Sequence, residues 1–216
     1  YTLPFDVEFV ISDQPFVTLE GDQDTIDEVV TVIEDGTLRI TKEGGWFDWS
    51  DEEIFLTVGY EKLSDITMSG SGDGYAEQLE ADELSLRIAG SAGLEIDSLI
   101  CNDLEIEIAG SGNVNLNDLE ADSMSTKIAG AGDVEVSGRV VSQSISISGS
   151  GDHNARDLRS QEASIQVQGS GDVEVWAIAS LSATVMGSGD IDYYGDPQIN
   201  ERIMGSGSVE RRGDQP

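Results

Sequence analysis

The sequence predicts an all-β protein: a right-handed parallel β-helix of about eight coils of ~20 residues, with an irregular β cap at its N-terminus. Three observations lead there. A Gly-Ser-Gly motif recurs at nearly constant spacing. The residues flanking each motif alternate between apolar and polar. The apolar members of successive repeats fall into shared columns.

The first glycines of the motif are Gly70, Gly90, Gly110, Gly130, Gly149, Gly169, Gly187 and Gly205, spaced 20, 20, 20, 19, 20, 18 and 18 residues apart. A self-similar period of this length marks a solenoid. Two residues before the glycine stand Met68, Ile88, Ile108, Ile128, Ile147, Val167, Val185 and Ile203. Four before it stand Ile66, Leu86, Ile106, Thr126, Ile145, Ile165, Ala183 and Glu201. The column between them is polar throughout, from Thr67 and Arg87 to Arg202. Such alternation is the pattern of a half-buried strand. A second strand follows the motif. Its inward positions run through Leu94, Val114, Val134, His153, Val173 and Ile191, and through Ile96, Leu116, Val136, Ala155 and Val175. A third inward position falls near Leu79, Leu99, Leu119, Leu158 and Ile178. Each coil therefore reads as strand, glycine corner, strand and a looser return.

Stacking puts like on like about 4.8 Å apart. Each buried aliphatic side chain contributes roughly 1.5–3 kcal/mol before chain entropy is charged. One coil cannot bury its own inner face, so the array is cooperative. Right-handed winding is the default for parallel crossovers. The corner glycines supply positive φ or close backbone approach. Ala92 and Ala131 show slack within the motif.

Residues 1–66 lack the motif and are read as an irregular β cap of opening coils; residues 67–212 are read as one continuous β-helix. Strand candidates in the cap are Val7–Ile11, Phe16–Glu20, Val29–Ile33, Thr37–Thr41 and Ile54–Val58, with a hairpin turn at Asp35-Gly36. Glu201 and Arg211 occupy inward columns of the last coil, as suits a terminal rung facing solvent.

The chain of 216 residues carries 11 Lys and Arg against 43 Asp and Glu, a net charge of -32. That surface repels nucleic-acid backbones and anionic lipid. With 38% hydrophobic residues at fixed spacing, it packs a core rather than staying disordered. The sole cysteine, Cys101, permits no internal disulfide and leaves the compartment open. No apolar run approaches the ~20 residues of a membrane span, so direct membrane insertion of this segment is not expected. The sequence begins at Tyr1 rather than Met, so removal of an upstream segment, with a signal peptide as one candidate, is expected.

Five features are candidates for chemistry. The residue after each motif is Asp73, Gly93, Asn113, Asp133, Asp152, Asp172, Asp190 or Ser208. The run Asp133, Asp152, Asp172 and Asp190 is a candidate Ca²⁺ ladder. The competing reading, which the sequence favours, is turn capping by side-chain hydrogen bonds, with no metal or cofactor. Trp46, Phe47 and Trp49 in a Gly-flanked segment either contact a ligand or partner or fold over the end of the rod as a plug. His153 falls in an inward column without a nucleophile pattern, and Cys101 falls beside Ala81 and Ala121, so both read as buried and inert. The column five residues before the glycine, Asp65, Ser85, Glu105, Ser125, Ser144, Ser164, Ser182 and Asn200, marks a flat outer face of small polar groups.

Gly-Ser-Gly-Asp-Val-Glu-Val at 169–175, its variants at 110–116 and 130–136, and Asp35-Gly36-Thr37-Leu38-Arg39-Ile40 together resemble one family. It is the auto-transporter adhesin head domain, or GIN domain, of Gram-negative bacteria, especially the Bacteroides group. The resemblance spans almost the whole chain. It implies a right-handed β-helix similar to pectin-lyase-like folds and an exported location: periplasmic, outer-membrane-associated or at the cell surface. It also implies an adhesion role, and it brings no catalytic residues. The expected function is thus a non-enzymatic module that binds a glycan or protein at the cell surface, with an oligomer compatible. The alternatives are a polysaccharide-active β-helix enzyme, which needs long loops and convergent acid or base groups, and a purely structural spacer.

Overall fold

A computed structural model describes residues 5–42 and 54–214. The N-terminal part forms β1 (Asp6–Ile11), β2 (Phe16–Glu20), a single helical turn α1 (Gln23–Ile26), β3 (Val29–Glu34), β4 (Thr37–Lys42) and β5 (Phe55–Tyr60). The repeats begin with β6 (Asp65–Gly70), β7 (Gly74–Glu80), β8 (Glu83–Gly90), β9 (Gly93–Ile100) and β10 (Asp103–Gly110). Four long runs follow: β11 (Asn113–Gly130), β12 (Val134–Gly149), β13 (His153–Gly169) and β14 (Val173–Gly187). The chain closes with β15 (Ile191–Tyr194), β16 (Gln198–Gly205) and β17 (Val209–Gly213).

The repeat strands from β6 onward stack in parallel as a right-handed β-solenoid of about seven turns. The eight glycine corners delimit those turns, which is why a count of motifs runs one higher. Register follows the repeat: Ile88, Ile108 and Ile128 lie over one another, as do Leu86, Ile106 and Thr126. The return segment is more regular than expected. From β11 to β14 each turn is one extended run broken at the glycine corner, because the neighbouring turns supply backbone partners along most of its length.

The corner explains the glycine. At Gly130 φ is +140°, and a Cβ there would overlap the carbonyl oxygen of Gly110 in the turn below. That same carbonyl accepts the N–H of Ala131 at 2.8 Å, so the corner itself carries a hydrogen bond between turns. The bond repeats from Ser91 onto Gly70 through to Ser206 onto Gly187, each at 2.8 to 2.9 Å.

The interior is filled by the expected columns and by one more. Leu84, Leu104, Met124, Gln143, Ala163 and Leu181, six residues before each corner, are all buried. The third inward position holds for Leu79, Leu99, Leu119 and Leu158, but not for Ile178, which is half-buried while Ala177 is fully buried. The shortened coil is the reason: the register jumps from Ala155 opposite Val175 to Arg159 opposite Trp176, and Ala177 turns inward opposite Ser160.

At the N-terminus, β1 pairs in parallel with both β7 and β5, so these strands extend the stack. The others do not form coils. β2 runs antiparallel on β5, and β3 and β4 make a separate hairpin turning at Asp35 and Gly36, with φ of 50° and 78°. Phe5, Val7, Ile40, Ile54, Leu56 and Val58 nevertheless join one hydrophobic cluster with Ile66 and Met68. At the other end every residue of β16 is exposed, Glu201 included.

Gly130→Ala is expected to cost about 2–4 kcal/mol through strain and overlap. Ala131→Ser in the same motif, on an exposed side chain, is expected to be neutral. Thermal denaturation of the two variants checks this pair.

Candidate functional site

The acidic column after the motif is a ladder of hydrogen bonds between turns. Asn113 Oδ1 accepts the N–H of Asp133 at 3.0 Å, Asp133 Oδ1 that of Asp152 at 2.9 Å, and Asp152 Oδ1 that of Asp172 at 2.8 Å. Asp172 and Asp190 continue it onto Asp190 and Ser208, at 2.8 and 2.7 Å. Asp73 accepts from Gly93, and Asp6 of β1 heads the column by accepting from Asp73. Where Gly93 offers no side chain, the Ala92 carbonyl takes the N–H of Asn113 instead. Capping within a turn was the expectation. The structure places these acceptors one turn apart, because the N–H after the corner points along the rod. Among the described residues, no group of three or more His, Cys, Asp or Glu converges as a metal site.

Each carboxylate rung satisfies a backbone donor, and bonds to charged acceptors are worth about 1.5–3 kcal/mol. Asp152→Ala is therefore expected to destabilise by that order. Asp152→Asn should be nearly neutral, since Asn113 already fills the role. Melting in CaCl₂ and in NaCl at equal ionic strength should shift alike; a Ca²⁺-specific rise would revive the metal reading.

Two interior groups lie where the sequence placed them. Burial pushes the Cys101 thiol up to about 11 and so keeps it protonated. His153 stacks between Val134 and Val173, fully enclosed, with neither ring nitrogen hydrogen-bonded. Burial pushes its imidazole down to about 3, from an ordinary 6.5. A depressed folded-state value means that the unfolded chain takes up the proton first. The stability held above pH 6.5 is lost progressively as pH falls toward 3. His153→Val continues the valine column and removes two unpaired nitrogens. It is expected to stabilise by about 1–3 kcal/mol and to flatten the decline between pH 6.5 and 5, read by urea denaturation at several pH values.

Two grooves run along the outside of the rod, each between alternate outward rows of side chains. One crosses β11 to β16 over the small polar face, with Ser125, Ser144, Ser164 and Ser182 on one bank and Ser123, Ser142 and Ser180 on the other. The other crosses β5, β1, β7, β9 and β11 and encloses about 490 Å³, within the range of roughly 300–1,000 Å³ usual for small-molecule sites. Its first bank is Thr57, Glu8, Tyr75, Glu95 and Asn115. Its second is Phe55, Asp6, Asp73, Gly93 and Asn113. Phe55 is 55% exposed and Tyr75 37%. The Tyr75 hydroxyl donates to Asp97 at 2.7 Å, which pushes it up to about 12 and holds Asp97 below the usual carboxylate range. Asn117 donates to the same Asp97 at 2.9 Å. Among the described residues, no Lys or Arg forms an ion pair with Asp6, Glu8, Asp73 or Glu95. On the other sheet Arg87 bridges Asp65, Glu105 and Glu107, and Lys127 bonds Glu105 at 2.7 Å.

Trp46, Phe47 and Trp49 lie outside the described residues. The acidic groove escapes a reading of the sequence because its strands come from separate stretches, with Asp6 set beside Phe55 and Glu8 beside Tyr75. The available signal was an aromatic, Tyr75, at an outward position of the repeat.

A solenoid with a packed interior and its polar chemistry displayed along the outer faces belongs to the class of β-helical proteins. Residues 2–197 match the family described as putative auto-transporter adhesin, head GIN domain, and the chain belongs to that family. A crystal structure of a putative lipid binding protein from Parabacteroides distasonis is similar at 31% identity, TM-score 0.91, covering 98% of this chain and 90% of that one. A putative adhesin from the same organism gives 27% identity, TM-score 0.92 and the same coverage. A putative adhesin from Parabacteroides merdae, at 22% identity, TM-score 0.85 and 98% and 93% coverage, shares the fold. No protein of curated function matches the sequence.

Proposed function

We propose that this chain is a non-enzymatic, exported adhesion module of the cell envelope that engages a glycan or protein through its outer faces. The observation that carries this reading is how the repeat uses its polar groups. The ladder carboxylates, Asp6 and Asp73 of the groove included, each spend an oxygen on a backbone donor between turns, while the groove over β5 to β11 also exposes Phe55, Tyr75, Glu8 and Glu95 to solvent, where they can meet a partner. Its family is described as a putative auto-transporter adhesin head domain, and its structural relatives as putative adhesins and a putative lipid binding protein, which accords with a binding role. The coils between residues 70 and 207 are short and regular, and hydrolytic chemistry on a β-helix calls for loops that bring acid and base groups together.

Binding of the purified chain to arrays of glycans and of host surface proteins tests the reading. Saturable capture of at least one component is expected. Incubation with acidic polysaccharide should yield neither new reducing ends nor unsaturated products. Product formation abolished by one point substitution would overturn the non-enzymatic reading, and capture of nothing would favour a spacer. Trp46→Ala/Trp49→Ala belongs in the same assay: reduced capture with unchanged melting assigns those aromatics to the partner, whereas a lowered Tm with unchanged capture assigns them to the end of the rod.

A further inference from the structure

We infer that the groove across β5, β1, β7, β9 and β11 is a docking site for cationic side chains, arginine above all, of a partner protein. The inference rests on the binding-module reading and names the chemistry of one of its ligands.

Charge is the first argument. Asp6 and Asp73 stand on one bank and Glu8 and Glu95 on the other, four carboxylates around one groove with no ion-pair partner among the described residues. Where carboxylates crowd on the neighbouring sheet, the chain provides its own cation, Arg87. The groove has none, so a cation arriving from outside meets uncompensated charge, and the net charge of -32 draws it in.

Shape and surface are the second. Tyr75 lies between Glu8 and Glu95 on the same bank, with Glu8 directly opposite it in β1 and Glu95 directly opposite it in β9. A planar cation over the ring would therefore have a carboxylate on each side. The hydrogen bond from the Tyr75 hydroxyl to Asp97 fixes the ring. Phe55 adds a second exposed ring at the head of the groove. Gly93 leaves a gap in the second bank that the Asp73 carboxylate overhangs, with Asp73 Oδ1 held at 2.7 Å from the Gly93 nitrogen. Aromatic faces beside carboxylates suit guanidinium better than ammonium, because the planar ion stacks and bonds bidentately at once. An anionic ligand would face four like charges.

Fluorescence anisotropy with three labelled peptides tests this: Gly-Arg-Gly-Arg-Gly, its lysine counterpart and its glutamate counterpart. The arginine peptide should bind several-fold tighter than the lysine peptide, and the glutamate peptide not at all. Glu8→Gln/Glu95→Gln should weaken the arginine peptide about tenfold. Glu80→Gln/Asp118→Asn changes net charge equally on exposed residues away from the groove, and should leave affinity within about twofold. Phe55→Ala/Tyr75→Ala should erase the preference of arginine over lysine without altering net charge. Equal losses in the two charge-matched pairs would reduce the effect to general attraction and overturn the inference. So would tighter binding of a neutral tetrasaccharide than of the arginine peptide. Melting curves of each variant confirm that it is folded, and the single Tyr75→Phe change, which keeps the ring, should retain the preference if any double variant does not fold. If the array captures partners that the groove variants still hold, the inference fails while the adhesion reading stands.

Discussion

The architecture depends on one contact, repeated: a corner glycine set directly on the carbonyl of the corner glycine below. Positive φ turns the chain there, and the missing Cβ lets the two backbones close to hydrogen-bonding distance. With every corner pinned to its neighbour, the strands on either side are held in register, and side chains two residues apart fall into continuous columns. The aliphatic stacks thus follow from the corner as much as they support it. Neither term suffices singly, because one coil has no surface to bury its apolar edge against.

The outer surface follows from the same stacking. A residue type chosen once per period is multiplied into a row, and two rows two residues apart become a groove. On one sheet the rows are mostly serine, with Glu162 and the amides Gln198 and Asn200 among them; on the other, four carboxylates stand with two aromatics. The acids next to the corner, Asp6 and Asp73 of the groove's second bank among them, have a further role. Their oxygens hold backbone N–H groups one turn away, so a row that looks like a charged ligand site works as an axial clamp.

Periodicity made most of the fold legible. The columns ending at Ile88, Ile108 and Ile128 needed no more than a count of residues, and the five N-terminal strands were visible from their alternation and from Asp35-Gly36. The column through Leu84 and Leu104 was missed because Gln143 and Ala163 interrupt its hydrophobicity. Ile178 was misplaced because a shortened coil shifts register inside the turn, which a constant offset from the glycine cannot show. The ladder was visible as a column, but the partner of each carboxylate was not: an Asp after a turn looks the same whether it caps its own turn or its neighbour's. The acidic groove was hidden for a different reason. It joins residues far apart in the chain through pairing of β1 with β5 and β7, and no local pattern encodes that pairing.

The two ends of the rod are finished differently. β1, β5 and β2 close one end with further paired strands, while β16 leaves the other with its whole length open to water. A stack whose stability is a sum of neighbour contacts loses its outermost member first, and here that member has one neighbour and a glutamate where its predecessors have aliphatics. The molecule therefore has a direction of wear. Fraying is expected to begin at β16 and β17 and to advance one turn at a time, meeting its first full hydrophobic layer at Leu181, Ala183 and Val185 and reaching the acidic groove last.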